Sequence, residues 1–254
     1  MEKTGKKTSG GNMICLAPLV FLFFFQFAAA ADIPPVNVPD TMAERVKACI
    51  TCHGPEDKKG RDVYYPRIAG KPEGYLFNQL RNFRDGRRHY QPMAWLLKGL
   101  PDQYLRDMAA YFASLKQIFP PPEPMSSASA DIELARKLIF QGDPAREIPA
   151  CVECHGKDLM GTAPFIPGLL GLPRIYIIAQ FGSWQNGGVM RGQTSDCMSE
   201  IAKQLTTAEA NVIATWLAAQ PVSEALLKQE HSAALSEKMA RRCSSIVMPS
   251  PALQ

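Results

Sequence analysis

The sequence predicts an all-α chain of two tandem domains joined by a proline-rich linker, and three observations carry that expectation. Apolar residues recur at helical spacing, as Leu105, Met108, Phe112 and Leu115 do, whereas no segment alternates as a half-buried strand would. The pentapeptide Cys49-Ile50-Thr51-Cys52-His53 returns 102 positions later as Cys151-Val152-Glu153-Cys154-His155. Between the copies, Phe119 to Ala130 holds Pro120, Pro121, Pro122 and Pro124 among small residues, a composition that suits a semi-rigid spacer.

From the start of the chain, residues 1–31 read as an export signal. Lys3, Lys6 and Lys7 give the basic start, Ile14 to Phe27 the apolar stretch, and Ala28 to Ala31 the small-residue cleavage points. The alternative is an uncleaved anchor, because the apolar run from Met13 nears the length of a membrane span; Pro18, Gln26 and the alanine run favour cleavage. The first domain then covers residues 32–118, the linker 119–130, the second domain 131–222 and a tail 223–254.

Within each domain the helices follow the period. Thr41 with Glu44 forms a capping box that leads Met42 to Ala48 into the first pentapeptide, and Thr206 with Glu209 opens the closing helix of the second domain. The stripe Leu105, Met108, Phe112 and Leu115 has its counterpart in Val212, Ile213, Trp216 and Leu217. A further helix spans residues 74–85 in one copy and 173–185 in the other. In the tail, Ser223 caps a helix candidate over 223–243 whose weaker apolar side is Leu226, Leu227, Leu235 and Met239, expected to pack back on a domain.

The copies correspond beyond the pentapeptides. Tyr75, Gln79, Phe83 and Gly86 answer to Tyr176, Gln180, Trp184 and Gly187, and Pro66 and Gly70 are matched with Pro164 and Gly168. Such self-similarity implies duplicated domains. Each is under 100 residues, too short for a generous core of its own side chains, so a buried group would have to supply much of the interior.

Charge is close to balanced: without residues 1–30 the chain holds 25 basic and 23 acidic side chains. That gives no basis for a nucleic-acid partner. The halves differ in sign, however, with 14 Lys or Arg against 10 Asp or Glu in residues 32–118, and 7 against 9 in residues 131–222. Of seven cysteines, Cys15 leaves with the signal and four lie in the pentapeptides. Cys197 and Cys243 remain; an oxidising compartment permits their pairing, and the sequence leaves open two unpaired thiols.

The pentapeptide has a chemical rationale. Two thiols three residues apart can both reach the vinyl groups of one porphyrin, while the adjacent imidazole ligates its iron. A structural zinc site would join its cysteine pairs across roughly 15 to 20 residues, whereas 98 residues separate Cys52 from Cys151. A thioredoxin-like pair needs no histidine after its second cysteine. Two covalently bound haem c groups are therefore expected, attached through Cys49, Cys52 and His53 and through Cys151, Cys154 and His155.

With these residues the chain resembles the class I cytochromes c, specifically the dihaem cytochrome c4 type, over about residues 38–220. The resemblance rests on the pentapeptides, the Pro-x-x-x-Gly turns, the run Tyr75-Leu76-Phe77-Asn78-Gln79-Leu80-Arg81-Asn82-Phe83-Arg84-Asp85-Gly86 and the closing Ala109-Ala110-Tyr111-Phe112. It implies that each iron takes its pentapeptide histidine and a distal methionine shortly before the closing helix: His53 with Met93, His155 with Met198. Met93 precedes Leu100 by seven positions and Met198 precedes Leu205 by seven. Met190 and His89 are alternative ligands if the loops fold differently; His231 reads as a surface residue. Cys197, directly before Met198, departs from the family pattern. The resemblance further implies that the imidazoles are oriented by the carbonyls of Pro66 and Pro164, and that the domains pack face to face.

A six-coordinate His/Met iron has no open position for substrate, so the implied function is single-electron transfer rather than catalysis. Expected partners are redox proteins: a quinol-oxidising complex on one side, a terminal oxidase or reductase on the other, in the periplasm, with association at the membrane surface left open. The alternative is the haem subunit of a periplasmic oxidoreductase, for example beside a flavoprotein sulfide dehydrogenase. A dihaem peroxidase would need one five-coordinate iron, against which both methionines argue. The basic run Arg81, Arg84, Arg87 and Arg88 is a candidate for steering an acidic partner, with a solvated helix face as the plain alternative.

Overall fold

A computed structural model of the chain describes residues 39–54, 65–125, 127–186, 197–227 and 237–243. The expected export signal, Met190 and His231 lie outside the described residues.

The first half follows its capping and periodicity signals with one interruption. Thr41 caps α1 (Met42–Arg45), its hydroxyl accepting from the Glu44 N–H, but Val46 leaves helical geometry and the pentapeptide begins a second helix, α2 (Lys47–His53). Val46 is fully buried, so the break turns its side chain into the core that a continuous helix over Met42 to Ala48 would have carried past. Helix α3 (Glu73–Arg84) packs on α5 (Asp102–Ser114), which buries Leu105, Met108, Ala109 and Phe112 on one face. Between them lies α4 (Gln91–Leu97), a short helix with Pro92 in its first turn, so Met93 sits on a helix rather than in the loop read from sequence.

The second half repeats the arrangement with additions. Helix α6 (Ser129–Phe140) begins inside the stretch read as linker and buries Ala135, Leu138 and Ile139 against α10 (Thr207–Ala218). The pentapeptide forms α7 (Val152–His155), followed by a two-residue ladder, β1 (Gly161–Thr162) antiparallel to β2 (Ile166–Pro167), with Thr162 opposite Ile166. Helices α8 (Arg174–Gln185) and α9 (Cys197–Gln204) complete the core. The linker is not a free spacer: Phe119 packs against the second core and the Glu123 N–H donates to the Ala218 carbonyl. Buried residues accordingly form two clusters, one built from residues of each half.

The tail appears as α11 (Glu224–Leu227), capped by Ser223, and α12 (Glu237–Arg242). Met239 and Cys243 are buried, as packing back requires, and Cys243 is disulfide-bonded to Cys197, with Cα atoms 5.1 Å apart. That bridge ties the tail to the residue before Met198.

The capping box at Thr206 and Glu209 is complete, and Glu209 also takes both Arg146 nitrogens, at 2.6 and 3.1 Å. The Arg146 hydrogen bonds, ahead of every other influence, hold the Glu209 carboxyl down to about 2. A depressed carboxyl stabilises the fold above its unfolded value and loses that contribution as pH falls through its folded one. Glu209→Gln is expected to cost on the order of 1 kcal/mol at neutral pH, because the pair is partly open to solvent. It should also remove part of the stability lost between pH 4.5 and about 2, measured by urea unfolding across that window.

Candidate haem sites and the interface between them

Each pentapeptide ends in a histidine fixed from behind. His53 Nδ1 donates to the Pro66 carbonyl at 2.8 Å and His155 Nδ1 donates to the Pro167 carbonyl at 2.7 Å. The proton therefore sits on Nδ1 in both rings, leaving Nε2 as a free lone pair. Burial, the dominant influence, lowers both imidazoles below their ordinary value despite the carbonyl contacts, so both are neutral, the form that ligates a metal.

The second carbonyl corrects the sequence expectation, which assigns Pro164. Both Pro164-x-x-x-Gly168 and Pro167-x-x-x-Gly171 fit the turn pattern, and the structure selects the latter. Gly70 and Gly171 adopt matching left-handed backbones, φ 66° and 67°, at the offset of 101 that Tyr75 and Tyr176 share. The second copy is simply one residue shorter between histidine and turn, 12 positions against 13. Pro164 serves another purpose, its carbonyl accepting from the Tyr75 N–H at 3.0 Å.

The second site is a cavity of about 360 Å³. Cys151, Cys154, His155 and Met198 all line it, among apolar walls that include Ile177, Phe181, Trp184 and Ile213. Cys154 and His155 are nearly enclosed, and burial pushes the Cys151 thiol up to about 12, so it is protonated. In the first half, Cys49 and Met93 pack against the same apolar cluster, while Cys52 is exposed and His53 half-buried. His89 is exposed.

Two thiols, a neutral imidazole with a free Nε2 and a thioether, set in an apolar cavity, form a donor set that fits a covalently held haem. A second observation supports the fit. The cavity is lined by Lys71, Arg81 and Arg87 and by no carboxylate among the described residues, as a group bearing anionic substituents requires.

Counterparts from the two copies meet where the halves touch. The Tyr75 and Tyr176 side chains hydrogen-bond each other, and Arg88 donates to both Gln79, at 2.6 Å, and Gln180, at 2.9 Å. Gly74 lets the Phe165 ring approach so closely that a Cβ would lie 2.5 Å from it. Sequence comparison of the copies marks these tyrosines and glutamines as repeat partners without revealing that they contact one another.

The basic run is consumed here rather than offered to solvent. Arg81 and Arg84 lie against Asp102, Arg84 and Arg87 pair with Asp85, and Arg88 joins the halves, so these side chains are tied into the structure rather than extended freely into solvent.

No protein-family model matches the chain. It is 35% identical over 213 residues to the thiosulfate dehydrogenase electron acceptor of Thiomonas intermedia, covering 84% of this chain and 92% of that protein. It is 34% identical over 185 residues to cytochrome c4 of Pseudomonas aeruginosa, covering 70% and 87%. The structure of reduced recombinant cytochrome c4 from Pseudomonas stutzeri superposes with a TM-score of 0.61 at 26% identity, covering 70% of this chain and 96% of that one. Two-domain helical architecture and sequence agree: the chain belongs to the cytochrome c4 family of class I c-type cytochromes, and is an electron-transfer protein rather than an enzyme.

Proposed function

We propose that the chain carries two covalent haems, one on Cys49, Cys52, His53 and Met93, the other on Cys151, Cys154, His155 and Met198, and works in the periplasm as the electron acceptor of a dehydrogenase. The single observation that carries the reading is the matched pair of Nδ1-to-carbonyl hydrogen bonds, which leaves a free Nε2 on the pentapeptide histidine of both copies. Bound haem supplies a one-electron couple between ferric and ferrous iron. The chain's own residues do the rest. The carbonyls of Pro66 and Pro167 keep each imidazole from rotating and raise its basicity. Met93 and Met198 would supply each iron's second protein ligand, leaving no position for substrate, and the apolar walls exclude water. The contacts through Tyr75, Tyr176 and Arg88 hold the two sites in one fixed relation.

Beside Met93 on α4, Trp95 and Leu96 are 71% and 55% exposed, an apolar face suited to transient docking of a redox partner next to the first site. The Thiomonas intermedia relative's description as a thiosulfate dehydrogenase electron acceptor favours that class of donor. No helix among the described residues is long and apolar enough to cross a membrane.

The test is reduction of the ferric protein by a purified thiosulfate dehydrogenase with thiosulfate, followed in a stopped-flow spectrometer. Reduction is expected, with the second-order rate falling on the order of tenfold in Trp95→Glu as an apolar anchor is lost. Absence of reduction rejects this donor class. Elution alone on purification identifies a free carrier, and copurification with a dehydrogenase identifies a subunit.

A further inference from the structure

Lys71 is a charged residue in an unusual place. It is 6% exposed, lies in the first half immediately after Gly70, and lines the cavity that holds His155 of the second half. Its ammonium makes no hydrogen bond or ion pair among the described residues; its nearest compensation is the Tyr75 ring, 5.8 Å from the centroid. Burial, then Arg67 and Arg88, push it down to about 7, the mark of a cation with no counter-ion. A buried ammonium in that condition is costly unless an anion shares its site.

The cavity supplies none. Its other charged lining residues are Arg81, 3.9 Å from Asp102, and Arg87, paired with Asp85, both also from the first half, so Lys71 is the lining cation without a carboxylate partner among the described residues. The copies differ at this point, since the position matching Lys71 at the offset of 101 is Leu172. Duplication alone therefore does not account for the lysine.

We propose that Lys71 is the counter-ion of a propionate carboxylate of the haem held by Cys151, Cys154 and His155, so that the first half completes the charge balance of the second half's cofactor. This rests on the haem assignment above. Lys71 is a positioning residue: its positive charge, held within the dehydrated cavity, disfavours the additional positive charge of ferric iron and so raises the potential of that haem alone. It also gives the contact between halves a role beyond packing, because a second half separated from Lys71 would lose the charge.

The test is a spectroelectrochemical titration of dihaem Lys71→Gln protein, the wave displaced by Met93→Ala being assigned to the first haem. One charge acting at an effective dielectric of about 20 changes such an equilibrium on the order of tenfold. The second wave is thus expected to fall by about 59 mV for a one-electron couple, while the first stays in place. Lys71→Arg keeps the charge and should keep both waves. If Lys71→Gln does not fold, Lys71→Arg decides alone: an unchanged second wave supports the proposal and a lowered one overturns it. Dihaem Lys71→Gln protein with both waves unmoved, or with both shifted equally, overturns the proposal and leaves the haem assignment intact. Wild-type protein with fewer than two haems overturns both.

Discussion

Replacing Cys151 and Cys154 together by serine is expected to remove one haem and, with it, the stability of the second half. The cavity those residues line is about 360 Å³. At roughly 24 cal/mol per Å³, leaving it unfilled corresponds to a penalty on the order of 9 kcal/mol, an upper figure because side chains relax inward. A domain's whole stability is about 5–15 kcal/mol. The variant should therefore show native near-ultraviolet dichroism for only part of the chain and become protease-sensitive over residues 131–222. The first half, whose apolar cluster is built from its own helices, should keep its haem. A variant with full stability and one haem would mean that porphyrin is not part of that core.

The second large effect concerns the distal side. Met93→Ala and Met198→Ala should each open one iron to carbon monoxide and lower its potential by a sizeable part of the roughly 0.8 V that axial ligands command. The change should be confined to one haem in each variant. Wild-type protein should bind carbon monoxide at neither. Met198 follows Cys197, which the disulfide to Cys243 ties to the buried tail. Its position is thus held by a covalent bridge as well as by α9, whereas Met93 is held by α4 and by packing on the first apolar cluster. Binding of carbon monoxide by both irons of the wild type would contradict the closed coordination.

Much of this architecture is legible in the amino-acid sequence. The pentapeptides name their chemistry through spacing alone, and α3, α5, α8 and α10 follow from periodicity and the Thr206 capping box, because those signals are local. The register of the second turn is ambiguous since two overlapping Pro-x-x-x-Gly patterns compete there; the offset of 101 shared by Tyr176, Gln180 and Trp184 just after the turn contains the answer. Helix α4 is only seven residues, too short to declare a period. The fate of Arg81 to Arg88 is not readable, because a basic run looks the same whether it faces water or a partner domain. Pairing across the halves, as in Arg88 with Gln180, joins residues 92 positions apart and leaves no local trace. Lys71 does leave one, in the mismatch with Leu172, but only once the correct offset is known.

Intact mass spectrometry of the protein recovered from a periplasmic extract bears most directly on the two-haem assignment. Two haem masses covalently added to a chain lacking its first 30 or so residues are expected, one on each pentapeptide after proteolysis. A colourless product, or one with a single added group, would contradict the assignment of His53 with Met93 and His155 with Met198 at its root.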